Sequence, residues 1–255
     1  MGMGSDPERS VKTADNVFEL IDVMRRLDGG TVSAITDEVD LARSTVHAYL
    51  STMAKHGYVD KKGDSYEPSL KFLEIGIEAQ LREPLTQASK SVVEEIAAET
   101  GEVAWIMVEE HGQAVYLLNS EGENAVQSRG SVGKRTTMHD IAAGKAILAH
   151  LPEERVERII DSYGLPERTE NTITDREELF EELALIREQG YAVNDGETIE
   201  NLRAVASPIM HGGSVCGAVG IAGPRNRMTD DVLYDVYPSL LLEASDTIGL
   251  EMTYS

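Results

Sequence analysis

A helix-turn-helix pattern near the N-terminus constrains the fold of this chain more than any other feature of its sequence. Apolar residues recur at spacings of three and four over 13–27, and the glycines at 29–30 end this first helix. A second, short helix buries Ile35 and Val39, and a third helix spans 43–56. Because the apolar residues of the second and third helices can share one core across a tight turn, the pattern predicts a helix-turn-helix.

Polar residues between these helices predict how the second helix begins and how the turn closes. Thr31 or Ser33 can cap the second helix, because a side-chain hydroxyl accepts a hydrogen bond from a backbone amide of the first turn. Asp40 occupies the turn position where glycine is usual, since the backbone there is left-handed. Aspartate enters that conformation more readily than most residues, so we expect a positive φ at Asp40.

A β-hairpin with a basic tip follows the third helix over 57–68, which is the pattern of a wing. Short or basic polar side chains occupy the outer face of the third helix, where they suit entry into the major groove of DNA. They could also simply solvate an exposed face or contact another protein, and His47 fits either interpretation. Because a hairpin follows directly, residues 1–68 are predicted to be a winged helix-turn-helix that binds double-stranded DNA. The predicted DNA-binding residues are Arg43, Ser44, Thr45, His47, Ser51, Lys55, Lys61 and Lys62.

The charge balance is unusual for a DNA-binding chain. The formal net charge is -22, with 45 acidic and 23 basic residues. Within 41–62 the sign reverses, since four Lys and Arg residues face only Asp60. The excess of acid indicates adaptation to a cytoplasm of high salt concentration, where a Debye length of about 3 Å removes long-range repulsion between the chain and DNA. An ordinary acidic protein is the alternative.

Composition also bounds the location and chemistry of the chain. No stretch approaches the roughly 18 apolar residues that a membrane span needs, and no signal-peptide core is present, so we expect a cytoplasmic protein without membrane contact. Cys216 is the only cysteine, which excludes an intramolecular disulfide and a thiolate metal cluster. In a strand, this cysteine would more often be a small buried apolar residue than a nucleophile.

An amphipathic helix is predicted over 69–83, between the winged domain and the remainder. Its apolar stripe needs a partner surface, and packing against the same helix of a second subunit would provide one. The alternative is that the stripe packs back onto its own domain. The stripe consists of Leu70, Leu73, Ile77 and Leu81.

Residues 84–255 show the pattern of an α+β domain, with an antiparallel sheet flanked by helices, a fold that often holds a small ligand. No catalytic arrangement is evident: Gly144-Lys145 lacks the other residues of a phosphate-binding loop, and the histidines are not at metal-ligand spacings. Only Asn194, His139 and Arg203 could form a polar cluster. We therefore expect no enzyme, cofactor or metal.

The chain from about residue 13 onward resembles the IclR family of transcriptional regulators. Three segments carry this resemblance, at 42–47, 132–149 and 190–229. The resemblance implies a winged helix-turn-helix joined by a helix to a GAF-like effector-binding and oligomerisation domain, in dimers or dimers of dimers. It also implies transcription regulation through a small metabolite, such as an organic acid or a sugar-derived catabolite.

By position, the resemblance implies an effector pocket and shows where this chain departs from the family. Ala204 stands where a cysteine is common, and small residues on the last strand replace serine hydroxyls, so we expect a ligand bulkier or less polar than a two- or three-carbon acid. The alternative is a domain that binds no ligand and serves oligomerisation or protein contacts. The implied pocket residues are Met138, Asn194, Leu202, Ala204, Gly220 and Ala222.

Overall fold

The computed structural model describes residues 10–125 and 130–254. The chain divides into two compact units, with the division between Ala79 and Gln80. Among the described helices, none is long and apolar enough to cross a membrane.

The first unit is a three-helix winged fold with a small sheet. Its sheet is antiparallel, in the order β1-β3-β2, and the β2–β3 hairpin is the predicted wing. The core is formed by fully buried apolar side chains of the three helices, including Leu20, Met24, Ile35 and Leu50. The elements are α1 Lys12–Arg26, β1 Gly30–Thr31, α2 Val32–Thr36, α3 Arg43–Lys55, β2 Val59–Lys62 and β3 Ser65–Pro68.

Of the two local predictions, the structure confirms one and corrects the other. Thr31 is the cap of α2, and its Oγ1 accepts a hydrogen bond of 3.2 Å from the amide of Ala34. The prediction of a positive φ at Asp40 was wrong, because Asp28 and His111 are the only described residues other than glycine with positive φ. Part of the reason lies just before Asp40, where the amide of Val39 bonds the carbonyl of Thr36 at 3.3 Å. The chain thus leaves α2 without a left-handed residue.

Helix α4, Lys71–Arg82, spans the division between the units and has no buried residue. Its apolar stripe is exposed: the exposed fractions are 58 % for Leu73, 45 % for Ile77 and 55 % for Leu81. The single chain therefore does not show the alternative, in which this stripe packs back onto its own domain.

The second unit is a six-stranded antiparallel sheet between two helical layers. The strand order is β6-β5-β4-β9-β8-β7, so β4, from the start of the unit, pairs with β9 near its end. The elements are α5 Pro84–Thr100, β4 Val103–Glu110, β5 Gln113–Glu121, β6 Arg135–Thr136, α6 Ala142–Leu148, α7 Glu153–Tyr163, α8 Arg176–Gln189, β7 Ala192–Asp195, β8 Leu202–His211, β9 Ser214–Pro224 and α9 Tyr237–Tyr254. The sheet flanked by helices confirms the predicted fold class.

The two faces of this sheet carry separate apolar cores. Ala206 packs with helices α6, α7 and α8 on one face, whereas its neighbour Val205 packs with α5 and α9 on the other. This alternation follows from the two-residue period of a strand. A π-helical turn, Val232–Val236, directly precedes α9.

Helix α6 lies unusually close to the segment that precedes it. A Cβ atom at Gly144 would stand 2.6 Å from the Cα of Met138 and would overlap its carbonyl oxygen. Glycine is therefore required at this position by backbone proximity, and it fixes residues 137–141 against α6.

Candidate DNA-binding surface and ligand cavity

The outer face of α3 carries the side chains that the sequence predicts for DNA contact. Val46, Leu50 and Met53 are buried on the inner face of α3. No acidic residue lies in the first turn of the helix, so nothing there opposes a phosphate group. Of the predicted residues on α3, Thr45 is half-buried, and the exposed ones are Arg43, Ser44, His47, Ser51 and Lys55.

The two lysines of the wing have different surroundings. Lys62 Nζ lies 2.6 Å from a carboxylate oxygen of Glu67, and this hydrogen bond raises the pKa of Lys62. Lys61 Nζ lies 5.5 Å from the centre of the buried Tyr66 ring. Both cations are exposed at the hairpin, whose turn contains Gly63 at φ +62°. The carboxylate of Glu67 offsets part of the charge of Lys62.

A cavity of about 630 Å³ lies in the second unit, on the sheet face that α6 covers. Five of the six residues implied as pocket walls line it together, while Met138 does not, because its side chain is buried in the core beside a much smaller cavity. The five lining residues are Asn194, Leu202, Ala204, Gly220 and Ala222.

Small residues form one wall of the cavity and aromatic residues form another. Ala204 on β8 lies opposite Ala222 on β9, and Gly220 adds no side chain to this wall. On β4 and β5, the rings of Trp105 and Tyr116 pack edge to face with their centres 4.7 Å apart. Burial raises the pKa of the Tyr116 phenol, and the charge of Asp140 raises it further. The cavity is therefore wide and partly aromatic.

The described charged residues that line the cavity are Lys134, Arg135, Arg168 and Asp140. Lining cations thus outnumber lining carboxylates three to one, in a chain of net charge -22. Arg135 also pairs with Glu110, which does not line the cavity. This balance favours an anionic ligand over a cationic one.

Asp140 is fully buried and is held from several directions. Thr137 Oγ1 donates a hydrogen bond of 2.7 Å to Asp140 Oδ1, and Arg168 Nε lies 3.6 Å from Oδ2. The backbone carbonyl of Asp140 accepts a 2.6 Å hydrogen bond from Asn194 Nδ2 and another from Thr198 Oγ1. These bonds tie the segment before α6 to β7 and to the loop between β7 and β8.

A buried ion cluster also holds the loop between β7 and β8 in place. Lys145 on α6 is buried, and its Nζ lies 2.6 Å from a carboxylate oxygen of Glu197 and 3.1 Å from one of Glu182. Burial raises the pKa of Glu197, although Lys145 opposes this effect. Neither Lys145 nor Glu197 lines the cavity, so this cluster supports the cavity without facing it.

The other polar candidates from the sequence do not meet in the cavity. Arg203 forms ion pairs with Asp195 at 2.7 Å and Asp230 at 2.7 Å, and it is not among the lining residues. His139 is buried, and burial lowers its pKa. Cys216 is half-buried rather than buried. Over residues 10–125 and 130–254, no group of three or more metal-binding side chains is present.

Sequence reasoning missed the charged part of the cavity. Asp140 and Arg168 lie in loops, where no periodic pattern marks a residue as facing inward. In the sequence, Lys145 stands out only as the lysine of an incomplete phosphate-binding loop. The signal that could have indicated Asp140 is an acidic residue directly before the segment at 141–149, which is apolar except for Lys145.

Comparisons with known proteins agree for both units. Residues 13–63 match the model of the IclR helix-turn-helix domain, and residues 79–249 match that of the bacterial transcriptional regulator IclR C-terminal domain. The chain is similar to the "Probable HTH-type transcriptional regulator ArcR" of Halobacterium salinarum, with 31% identity over 96% of this chain and 95% of that protein.

Solved structures show the same similarity over nearly the whole chain. The crystal structure of the Thermotoga maritima IclR is 26% identical, with a TM-score of 0.78, and covers 95% of this chain and 99% of that one. An IclR homologue from Microbacterium hydrocarbonoxydans, crystallised in complex with 4-hydroxybenzoate, is 25% identical with a TM-score of 0.77, covering 93% of this chain and 100% of that one.

Proposed function

This chain belongs to the IclR family of transcriptional regulators, and from that premise we propose that an organic acid in the cavity controls its binding to operator DNA. The observation that carries this proposal is the cationic lining of a 630 Å³ cavity in a strongly acidic chain. That volume lies within the range of small-molecule sites and exceeds what a two- or three-carbon acid would fill. A sugar-derived acid and an aromatic acid are both of suitable size.

We propose that α3 reads the major groove while the wing contacts the phosphate backbone. The polar face of α3 lacks acidic residues in its first turn, and its exposed side chains are short or basic polar groups that can donate hydrogen bonds to base edges. Lys61 and Lys62 at the hairpin are placed as point charges for phosphates. The complete set is Arg43, Ser44, Thr45, His47, Ser51, Lys55, Lys61 and Lys62.

DNA binding is tested with duplexes selected by the protein from a random-sequence pool. Fluorescence anisotropy then compares the wild-type protein with Arg43→Ala and Lys62→Ala, and we expect each change to weaken binding roughly tenfold. Lys90→Ala, an exposed lysine of the second unit, serves as the control and keeps the wild-type affinity. Unchanged binding in Arg43→Ala and Lys62→Ala would instead favour a helix-turn-helix that contacts protein.

Effector control is tested in the same assay by adding organic acids to the preformed complex. A matching acid changes the DNA affinity of the wild-type protein, whereas Ala204→Phe, which fills the cavity beside Ala222, removes this response. The second candidate is a unit that serves only oligomerisation or protein contacts. Its support is the exposed apolar stripe of α4, and it predicts no response to any acid.

We propose that the α4 stripe joins two copies of the chain, as a homodimer or within a dimer of dimers. Exposed apolar side chains along a whole helix are typical of an interface. A two-fold dimer would also suit paired half-sites on DNA. Sedimentation velocity should therefore show a smaller species for Leu73→Glu than for Glu78→Gln on the same helix. Equal sedimentation of the two variants would contradict the proposal.

We further propose that the protein is cytoplasmic and has no catalytic activity. Its named relatives are transcription regulators, and among the described residues no serine, cysteine or histidine lines the cavity. Turnover of any acid that binds would contradict this, and it would be detected by chromatography of the ligand after prolonged incubation.

A further inference from the structure

One carboxylate oxygen at the cavity wall has no hydrogen-bond donor. In the described part of the chain, the buried side-chain oxygens without a hydrogen-bond partner are Asp140 Oδ2 and Glu197 Oε2. Glu197 does not line the cavity, whereas Asp140 does. A buried acceptor without a donor is unfavourable, because the group has lost its water and gained nothing in exchange.

The surroundings of this oxygen place it where a bound molecule could reach it. Arg168, whose Nε lies 3.6 Å from Oδ2, also lines the cavity, and its side chain is 48% exposed. Tyr116 lines the cavity as well, and the charge of Asp140 contributes to the raised pKa of its phenol. Because Arg168 is half exposed, its guanidinium has room to turn toward a bound anion, and a hydrogen-bond donor on the ligand then takes its place beside the buried Asp140 carboxylate. Such a turn would uncover Oδ2.

We propose that Asp140 selects effectors that carry a hydroxyl group in addition to a carboxylate. The hydroxyl donates a hydrogen bond to Asp140 Oδ2, and the carboxylate pairs with Arg168. This inference rests on the proposed control by an organic acid and specifies the ligand class for that same cavity. The ligand is then held at both ends, by Asp140 at its hydroxyl group and by Arg168 at its carboxylate.

The charge of the lining decides between a hydroxyl and an ammonium as the donor. Lys134, Arg135 and Arg168 already line the cavity, so an ammonium group would meet like charges there. A hydroxyl brings the same hydrogen bond without that repulsion. Thr137 shows this chemistry within the protein, since its hydroxyl satisfies the other oxygen of Asp140 at 2.7 Å.

The test uses pairs of acids that differ by one hydroxyl group. Calorimetry compares 2-, 3- and 4-hydroxybenzoate with benzoate, and 3- and 6-hydroxyhexanoate with hexanoate, so that aromatic and aliphatic ligands are separated. We expect at least one hydroxy acid to bind roughly ten- to a hundredfold more tightly than its parent, because a hydrogen bond to a charged group has that effect. Equal or weaker binding of every hydroxy acid overturns the proposal.

Variants assign the preference to Asp140. Asp140→Ala removes the acceptor and brings the ratio of affinities close to one, while Asp140→Asn, which keeps the size of the side chain, gives an intermediate ratio. Glu102→Gln is the matched control, since Glu102 is a buried carboxylate that pairs with Arg227 outside the cavity. It leaves the ratio unchanged. A preference that survives in Asp140→Ala contradicts the assignment.

The outcomes also separate this inference from the function on which it rests. If acids bind and alter DNA affinity but the hydroxyl makes no difference, the role of Asp140 fails and effector control stands. If none of the acids binds, both fail.

Discussion

Lys145 is a buried cation whose position is determined by two carboxylates. Its ammonium group contacts Glu197 and Glu182, and the side chain is 1% exposed. Removing one partner of a buried ion pair leaves the other as an uncompensated charge, which costs about 3–5 kcal/mol. Replacing both partners by uncharged residues costs much less.

We therefore expect Lys145→Met to lower the free energy of unfolding of the second unit by about 3–5 kcal/mol. The measurement is urea unfolding followed by the fluorescence of Trp105, the only tryptophan, which lies in this unit. Adding Glu197→Gln should restore part of the loss. Arg176→Met, which removes an exposed ion pair with Asp161, should change the transition little. Equal effects of the two single variants would contradict this account of the cluster.

His139 gives the stability a defined dependence on pH. Burial lowers its pKa below 6.5, so the folded chain stays neutral there at a pH where the unfolded chain already binds a proton. Unfolding then takes up a proton, and the free energy of unfolding falls as the pH drops below about 6.5. Above that pH His139 is neutral in both the folded and the unfolded chain, so its contribution to stability no longer changes with pH.

The difference between wild type and His139→Gln isolates this effect, because other titrating groups cancel. Urea unfolding at several pH values should show a smaller loss of stability on acidification for His139→Gln than for wild type. His47→Gln, at an exposed histidine of α3, should follow the wild-type profile. Parallel profiles for wild type and His139→Gln would show that burial of His139 does not control the loss of stability at acidic pH.

At the scale of elements, helix α6 is fixed by the absence of a side chain at Gly144. A Cβ at this position would stand 2.6 Å from the Cα of Met138, in a segment that cannot move without disturbing Asp140. Helix propensity alone would favour alanine over glycine by about 1 kcal/mol. The clash with backbone atoms reverses that preference.

We expect Gly144→Ala to destabilise the second unit by at least about 2 kcal/mol, since overpacking against backbone has few ways to relax. The transition of Trp105 in urea measures the effect. Gly76→Ala is the matched control, because Gly76 also lies in a helix and a Cβ there meets no atom within 4 Å. Gly76→Ala should leave the urea midpoint of the Trp105 fluorescence transition unchanged. A stabilising Gly144→Ala would show that α6 can shift outward.

Element by element, the sequence predicted periodic structure well and irregular structure poorly. The helix-turn-helix, the wing and the antiparallel sheet all followed from apolar spacing and glycine positions. Strand β6 has two residues, and a π-helical turn differs from an α-helix only in hydrogen bonds that span one residue more, so neither leaves a distinct periodic signal. In the cavity, the resemblance implied five lining residues on β7, β8 and β9 but not Trp105 and Tyr116, while Asp140 and Arg168 come from loops that only tertiary contacts bring together.

For the whole molecule, the net charge of -22 should govern how DNA binding responds to salt. Ordinary DNA-binding proteins lose affinity as salt rises, because phosphate contacts release counterions. In an acidic protein, cations can instead be taken up between carboxylates and phosphates. We propose that this chain is adapted to high salt, since its 45 acidic residues far outnumber its 23 basic residues.

The slope of log affinity against log salt concentration should accordingly be shallow or inverted. Anisotropy titrations with a selected duplex, across a range of KCl concentrations up to about 1 M, where the Debye length is near 3 Å, measure this slope. A slope of roughly -5 or steeper, as six or more phosphate contacts would give, would contradict the proposal. Unfolding in the same salt series should show stability rising with KCl, as screening relieves repulsion among carboxylates.

The pairing of β4 with β9 also sets an order of events during synthesis. Val103 pairs with Ala222, so the central sheet of the second unit cannot close until β9 has emerged from the ribosome. The described strand pairs of the first unit lie between Gly30 and Pro68. At roughly 5–20 residues per second, the winged unit can fold several seconds before the cavity exists. The winged unit of a nascent chain can therefore be complete before the cavity of the same chain has formed.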